Sequence, residues 1–235
     1  MESRVTFGYD VQITQFPHAV YLDPPTCSAS LILVQIIITA ASCLSQRKTR
    51  PVTAYFGSAI PSFSRMKRLV INHQAHPEYR EGNPKSNIAI AFLDSPVKLS
   101  IYTKKIPIAT EYPDSKKRNI GVGVGWGRQI LPHKFRDTAI SRHLRATHQR
   151  IMQASDCNKQ MTAKIPGNAL CSLPIVGHFY KDDSGAGLVY KTKSGVDILI
   201  GVLSHIIDEV AVYGNMITQG KWVQEQVVKC DEKQV

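Results

Sequence analysis

The sequence predicts an all-β protein, a barrel or a pair of sandwiches, and three observations carry that expectation. Twelve short runs rich in β-branched and aromatic residues, bounded by turn formers, are spread along the chain. Thirteen prolines and fifteen glycines recur between them, which suits many turns and works against a helical bundle. With 235 residues, 43% of them hydrophobic and 20% charged, the chain can bury a core, and a disordered polyampholyte is excluded.

In order, the predicted strands are Val11 to Leu22, Ser30 to Gln35, Ile36 to Ala41, Val52 to Phe56, Met66 to Asn72 and Asn87 to Leu93. Then come Lys105 to Ala109, Asn119 to Trp126, Arg142 to Arg150, Leu188 to Tyr190, Asp197 to Leu203 and Val210 to Ile217. Two segments read as helical. Ser155 to Met161 opens on the capping pair Ser155-Asp156. Gln219 to Val228 sets Trp222, Val223, Gln226 and Val227 on one face of a terminal amphipathic helix. The most apolar stretch, Ala29 to Leu44, is sixteen residues long and broken by Gln35, short of the roughly 18 to 20 of a membrane helix. Met1 to Arg4 lead into mixed polar sequence without a secretory core, so the chain as given is read as cytosolic or as lacking its leader.

Cysteines stand at Cys27, Cys43, Cys157, Cys171 and Cys230, with two gaps of about fifteen residues and no CxxC pair of the kind zinc sites use. Spacing alone leaves two alternatives: two local disulfides plus a spare thiol, or five reduced and buried small hydrophobes. No metal or cofactor is expected.

The segment that carries chemistry is Lys181-Asp182-Asp183-Ser184-Gly185-Ala186-Gly187. A serine between an acid and a glycine, followed by small residues and a strand, suits a nucleophile on a tight turn whose backbone amides face an attacked carbonyl. The same triplet also suits an ordinary turn.

Context bears on that choice. Phe16-Pro17-His18-Ala19-Val20, Thr26-Cys27-Ser28-Ala29-Ser30-Leu31-Ile32 and Thr39-Ala40-Ala41-Ser42-Cys43 resemble the amino-terminal barrel of chymotrypsin-like serine proteases. Asn87-Ile88-Ala89-Ile90-Ala91-Phe92-Leu93, Val124-Gly125-Trp126-Gly127, and Val212-Tyr213 with Trp222-Val223 continue the resemblance in family order to about Val228. It implies two packed six-stranded antiparallel barrels with a carboxy-terminal helix: residues 5–112 and 119–217, with the helix at 219–228 and the boundary near Tyr112 to Asn119. It also implies disulfides Cys27–Cys43 and Cys157–Cys171, and hence an oxidising, extracellular setting, with Cys230 unpartnered.

The resemblance places Ser184 at the nucleophile position, Ser42 where the family carries its base and Asn87 where it carries the orienting acid. A serine hydroxyl needs an adjacent proton acceptor to attack. The oxyanion amides would come from Asp182 and Ser184, with a carboxylate at Asp182 replacing glycine. His178, Ser204, His205, Ile206 and Ala211 fall on the specificity pocket, which the resemblance implies is narrow and selects small side chains. His205, on the pocket wall, reads as cleft-lining. Arg4 and Val5 resemble an activation junction, with Asp183 as the acid that would receive the new amino terminus.

These implications predict a secreted, proteolytically inactive homologue that binds a protein or peptide partner as a cofactor, decoy or regulator of proteolysis. One alternative is a weak endopeptidase using Ser184. Another is a polyanion-binding module, since Lys and Arg outnumber Asp and Glu by 29 to 18 and a basic run extends from Arg128 through Arg142 and Arg145 to Arg150. That surface would take an anionic glycan. No nucleic-acid motif and no membrane span are predicted.

Overall fold

A computed structural model describes residues 8–45, 50–81, 86–111, 119–130, 138–140, 143–159, 161, 164–180 and 182–231. The chain opens with a short strand, β1 (Tyr9–Asp10). It then runs through β2 (Ala19–Asp23), β3 (Cys27–Leu33), β4 (Ile36–Thr39), the helical turn α1 (Ser42–Ser45), β5 (Thr53–Phe56), β6 (Met66–Ala75) and β7 (Ala89–Leu93). Strands β2-β3-β4-β7-β6-β5 close into an antiparallel barrel. Closure requires inward-facing side chains to fill the interior, and Leu22, Leu31, Ile37, Phe56 and Leu93 do so.

The second half holds β8 (Ile120–Gly125), the hairpin β9 (Arg128–Ile130) and β10 (Thr138–Ile140), β11 (Arg145–Gln153) and the turn α2 (Ala154–Cys157). It continues with β12 (Leu170–Val176), β13 (Gly187–Lys191), β14 (Asp197–Ile207), β15 (Val210–Asn215) and helix α3 (Met216–Asp231). Here β8-β11-β12-β15-β14-β13 form the second closed antiparallel barrel, sealed by the β13–β8 pairing. The fold is thus two six-stranded antiparallel barrels with a carboxy-terminal helix. Among the described residues no helix is long and apolar enough to cross a membrane.

Strand β3 explains how the halves meet. Nearly every residue of it is buried, because Cys27, Ala29 and Leu31 enter the first barrel's core while Ile32 turns toward the second. Ile32, Ile38, Ile88 and Ile90 meet Val189, Leu199 and Val202 from the other barrel, and Met216 and Val223 of α3 cover the same cluster. Burial of that much branched aliphatic surface stabilises the interface by roughly 1.5–3 kcal/mol per side chain. Both disulfides form, Cys27–Cys43 and Cys157–Cys171.

Several expectations change. The run Lys105 to Ala109 is a strap rather than a strand: Ile106 donates to Leu31 O on one barrel (2.9 Å), while Leu199 N bonds Pro107 O (2.8 Å) on the other. Proline cannot donate to a ladder, so the run's strand-like composition misleads there. The strand read as Val11 to Leu22 begins only at Ala19, after turns held by bonds such as Phe16 N to Ile13 O. The opening segment, assigned to the first barrel, instead adds β1 to β11 of the second. Strand β12 went unpredicted because Pro174 interrupts it. The helix expected at Ser155 to Met161 shrinks to α2, whereas the terminal helix runs longer than Gln219 to Val228. The interval from Tyr112 to Asn119 lies, but for Asn119, outside the described residues.

Candidate active site

The candidate site sits where α1, the end of β7, the turn before β13 and the middle of β14 converge. Ser42 opens α1, its backbone N–H donating to Asn87 Oδ1 at 2.9 Å. The Asn87 Nδ2 group donates to Ser42 Oγ (3.2 Å) and to Ser204 Oγ (2.9 Å). Asn87 is fully buried and Ser204 nearly so, and both amide hydrogens and the amide oxygen are engaged by groups from two separate elements, α1 and β14. Ser204 Oγ lies 2.6 Å from His205 Nδ1. The hydroxyl accepts from Asn87 and also pairs with the imidazole, so His205 Nδ1 is engaged by Ser204 whichever of the two carries the hydrogen. Burial depresses the His205 pKa, which favours the neutral ring.

Ser184 occupies the turn ahead of β13. Its carbonyl oxygen accepts from Ser28 N at 2.9 Å, and Cys43 Sγ lies 3.6 Å from that oxygen, which sets the turn against the neighbour of Ser42. Among the described residues the Ser184 hydroxyl has no hydrogen-bond partner. Gly185 has φ +84°, and a Cβ there would overlap the Ser28 carbonyl and the Thr39 hydroxyl, so only glycine lets the turn approach β3 this closely. Asp182 adopts φ +77°, a left-handed conformation costly for a residue with a Cβ.

Beside it, Asp183 is buried, with Oδ1 accepting from Gly127 N (2.7 Å) and Oδ2 from Tyr180 N (2.9 Å). Burial pushes its carboxyl up to about 6 despite those two donors. A Cβ on Gly125 or Gly127 would overlap the Asp183 carboxylate, which accounts for both glycines around Trp126.

The pocket residues do not act as one wall. Ile206 pairs with Ala211 across the β14–β15 hairpin, whose two-residue turn, Asp208-Glu209, has positive φ at both positions. Ile206 is exposed, whereas Ala211 is buried in the barrel core with Phe179 and Tyr213. Phe179, unremarked in the sequence, sits between half-buried His178 and Tyr180 and stacks edge-on against Tyr213 at 6.1 Å. The signal was one large apolar side chain in an otherwise polar turn. Arg4, Val5 and the Cys230 side chain lie outside the described residues. Groups of three or more metal-ligating side chains do not occur among the described residues.

The chain matches the trypsin family model over residues 5–219. It belongs to the trypsin family. Among trypsin-family relatives, it is 25% identical to hypodermin-A of Hypoderma lineatum over 213 residues, covering 88% of this chain and 79% of that one. It is 26% identical to trypsin alpha of Drosophila melanogaster over 210 residues (87% and 78%) and 27% identical to rabbit (Oryctolagus cuniculus) coagulation factor IX over 212 residues (86% and 75%). Among solved structures, the scabies mite inactivated protease paralogue S-D1 superposes with a TM-score of 0.81 at 20% identity, covering 95% of this chain and 97% of that one. At that identity the likeness concerns the fold.

Proposed function

We propose that this trypsin-family domain is proteolytically silent and works extracellularly by binding, as a cofactor, decoy or regulator of proteolysis. The observation that carries the reading is the hydrogen bonding around Ser184 and His205. The retained hydroxyl lacks a hydrogen-bond partner among the described residues, and His205 Nδ1 is engaged by Ser204 rather than by Ser184. In this reading Ser42 and Asn87 replace the base and its orienting acid, while Asp182 and Ser184 supply the oxyanion amides. Loss of a base costs about 10⁴-fold or more in this chemistry, and a carboxylate beside a developing oxyanion opposes what remains. The two disulfides support an oxidising, extracellular setting. The domain boundary is proposed to fall between residues 112 and 119.

A fluorophosphonate probe tests the reading directly. The expected result is no labelling of Ser184; stoichiometric labelling that disappears in Ser184→Ala would establish the weak-endopeptidase alternative instead. Of the two residues named for the polyanion alternative, Arg142 lies outside the described residues, and Arg145 is paired with Asp10 at 3.1 Å and also bonds Gly8 O, tying β1 to β11.

A further inference from the structure

A second surface, on the first barrel, combines features the cleft lacks. The loop from Gly57 to Arg65, which joins β5 to β6, is held rigidly. The Ser64 hydroxyl lies 2.7 and 2.9 Å from the carbonyl oxygens of Phe56 and Met66 and accepts from Phe56 N at 3.2 Å. The Ala59 carbonyl accepts from both Trp126 Nε1 and Leu144 N (2.8 Å each), so the loop is also bolted to the second barrel. This fixed loop nevertheless presents Phe63 at 72% exposure, on the single 3-10 turn Pro61–Phe63. An immobilised aromatic left in water is not explained by the fold's own packing.

Its neighbours share the character. After β7 the chain runs back along β6: Asp94 N bonds Leu69 O (2.9 Å), and the Arg68 guanidinium bonds the carbonyls of Ser95 and Pro96. It then reaches Gly57, where an added Cβ would lie 3.7 Å from Tyr102 Cβ. That segment exposes Leu99, Ile101 (61%) and Tyr102 (50%), and Leu69 of β6 is exposed beside it. The rim is cationic. Arg65, Lys67, Arg68, Lys98 and Lys104 stand there against a single carboxylate, Asp94, and none of these cations has an ion pair among the described residues. Lys67 lies over the Tyr55 ring at 5.1 Å, which holds its charge at the edge of the patch.

We infer that this face docks an acidic segment of another protein whose apolar side chains alternate with its carboxylates. Charge complementarity selects the acidic component, and the exposed Phe63, Ile101 and Tyr102 select protein over a sulfated glycan, which would engage only the cations. Because the loop is already ordered, docking incurs little further entropy cost there. The inference holds whether or not Ser184 reacts.

The test uses the full chain and three synthetic probes: a peptide alternating Glu with Phe and Leu, the same peptide with its apolar residues replaced by Ser, and heparin. Binding is read by fluorescence anisotropy, and the footprint by amide chemical shifts. The acidic-apolar peptide is expected to bind at least about tenfold more tightly than its Ser counterpart, with shifts confined to residues 57–69 and 94–104. Phe63→Ala should weaken it about tenfold and Arg65→Glu with Lys67→Glu at least as much, while heparin retention is unchanged by Phe63→Ala. Both sets of positions are exposed, and unchanged thermal unfolding of the variants excludes misfolding as the cause. Absence of binding, equal affinity for the Ser peptide, a footprint elsewhere, or affinity within about twofold of wild type after Phe63→Ala would each overturn the proposal.

Discussion

His18 gives the sharpest quantitative test of how this fold handles a buried polar group. It is buried, its Nε2 has no hydrogen-bond partner among the described residues, and the equally unpartnered Ser30 Oγ is buried too. Its ring meets Phe16 edge-on at 6.3 Å. Burial pulls the imidazole down to about 4, with the distant charge of Asp197 opposing weakly. In the unfolded chain the same group titrates near about 6.5. The unfolded state therefore binds the proton first, and stability is fully present above about pH 6.5 and lost as pH falls toward 4. At about 1.36 kcal/mol per unit, the loss between about pH 7.5 and pH 4.5 is about 2.5 kcal/mol. Replacing the ring in His18→Phe removes that dependence. Urea unfolding followed by tryptophan fluorescence, on both chains at both pH values, isolates it, because every other titrating group cancels in the double difference. Relative to wild type, the variant should gain about 2.5 kcal/mol at the acid end. A double difference below about 0.5 kcal/mol would mean that His18 accommodates its proton in place, and the argument from burial would fail.

The remaining predictions concern the candidate site. Asp182→Gly should stabilise the protein by about 1 kcal/mol, because it relieves a left-handed φ, and urea midpoints that fall instead would contradict that account. Asp183, whose folded pKa is raised to about 6, should act opposite to His18: its contribution to stability falls as pH rises from about 4 through 6, so wild-type stability between those limits should be flatter than in His18→Phe. Asn87→Leu should cost about 2–4 kcal/mol, since it strands Ser42 N and removes both amide donations. Ser42→His with Asn87→Asp is expected to leave turnover of peptide nitroanilides at least about 10²-fold below an active trypsin-family enzyme, because under the proposed assignment the Asp182 carboxylate would still oppose the oxyanion. Full recovery from those two changes alone would show that the other departures are harmless.

Much of this is legible in the sequence itself. Runs of β-branched and aromatic residues between turn formers marked the barrel strands, and the motif order around Cys27, Cys43, Trp126 and Ser184 marked the family. What stayed hidden were relations between residues distant in the chain. Arg145 read as one of a free basic run because Asp10, its partner, lies far upstream. Lys105 to Ala109 read as a strand because composition does not reveal which neighbour receives each bond. His205 reads as cleft-lining, but its pairing with Ser204, which Asn87 holds in turn, joins residues on different elements and has no sequence signal. Ala211 was placed on the pocket by motif position, whereas its burial in one core cluster with Phe179 and Tyr213 follows from packing between distant segments.

The strap at residues 105–109 has a further consequence. It grips Leu31 with one amide and Leu199 with the next carbonyl, so neither half of the chain keeps its edge satisfied without the other. Cutting between residues 111 and 119 would leave the strap with the first fragment and bare the Leu199 main chain in the second. The two fragments should therefore be poorly soluble apart and recover order only on mixing, each serving as the other's template.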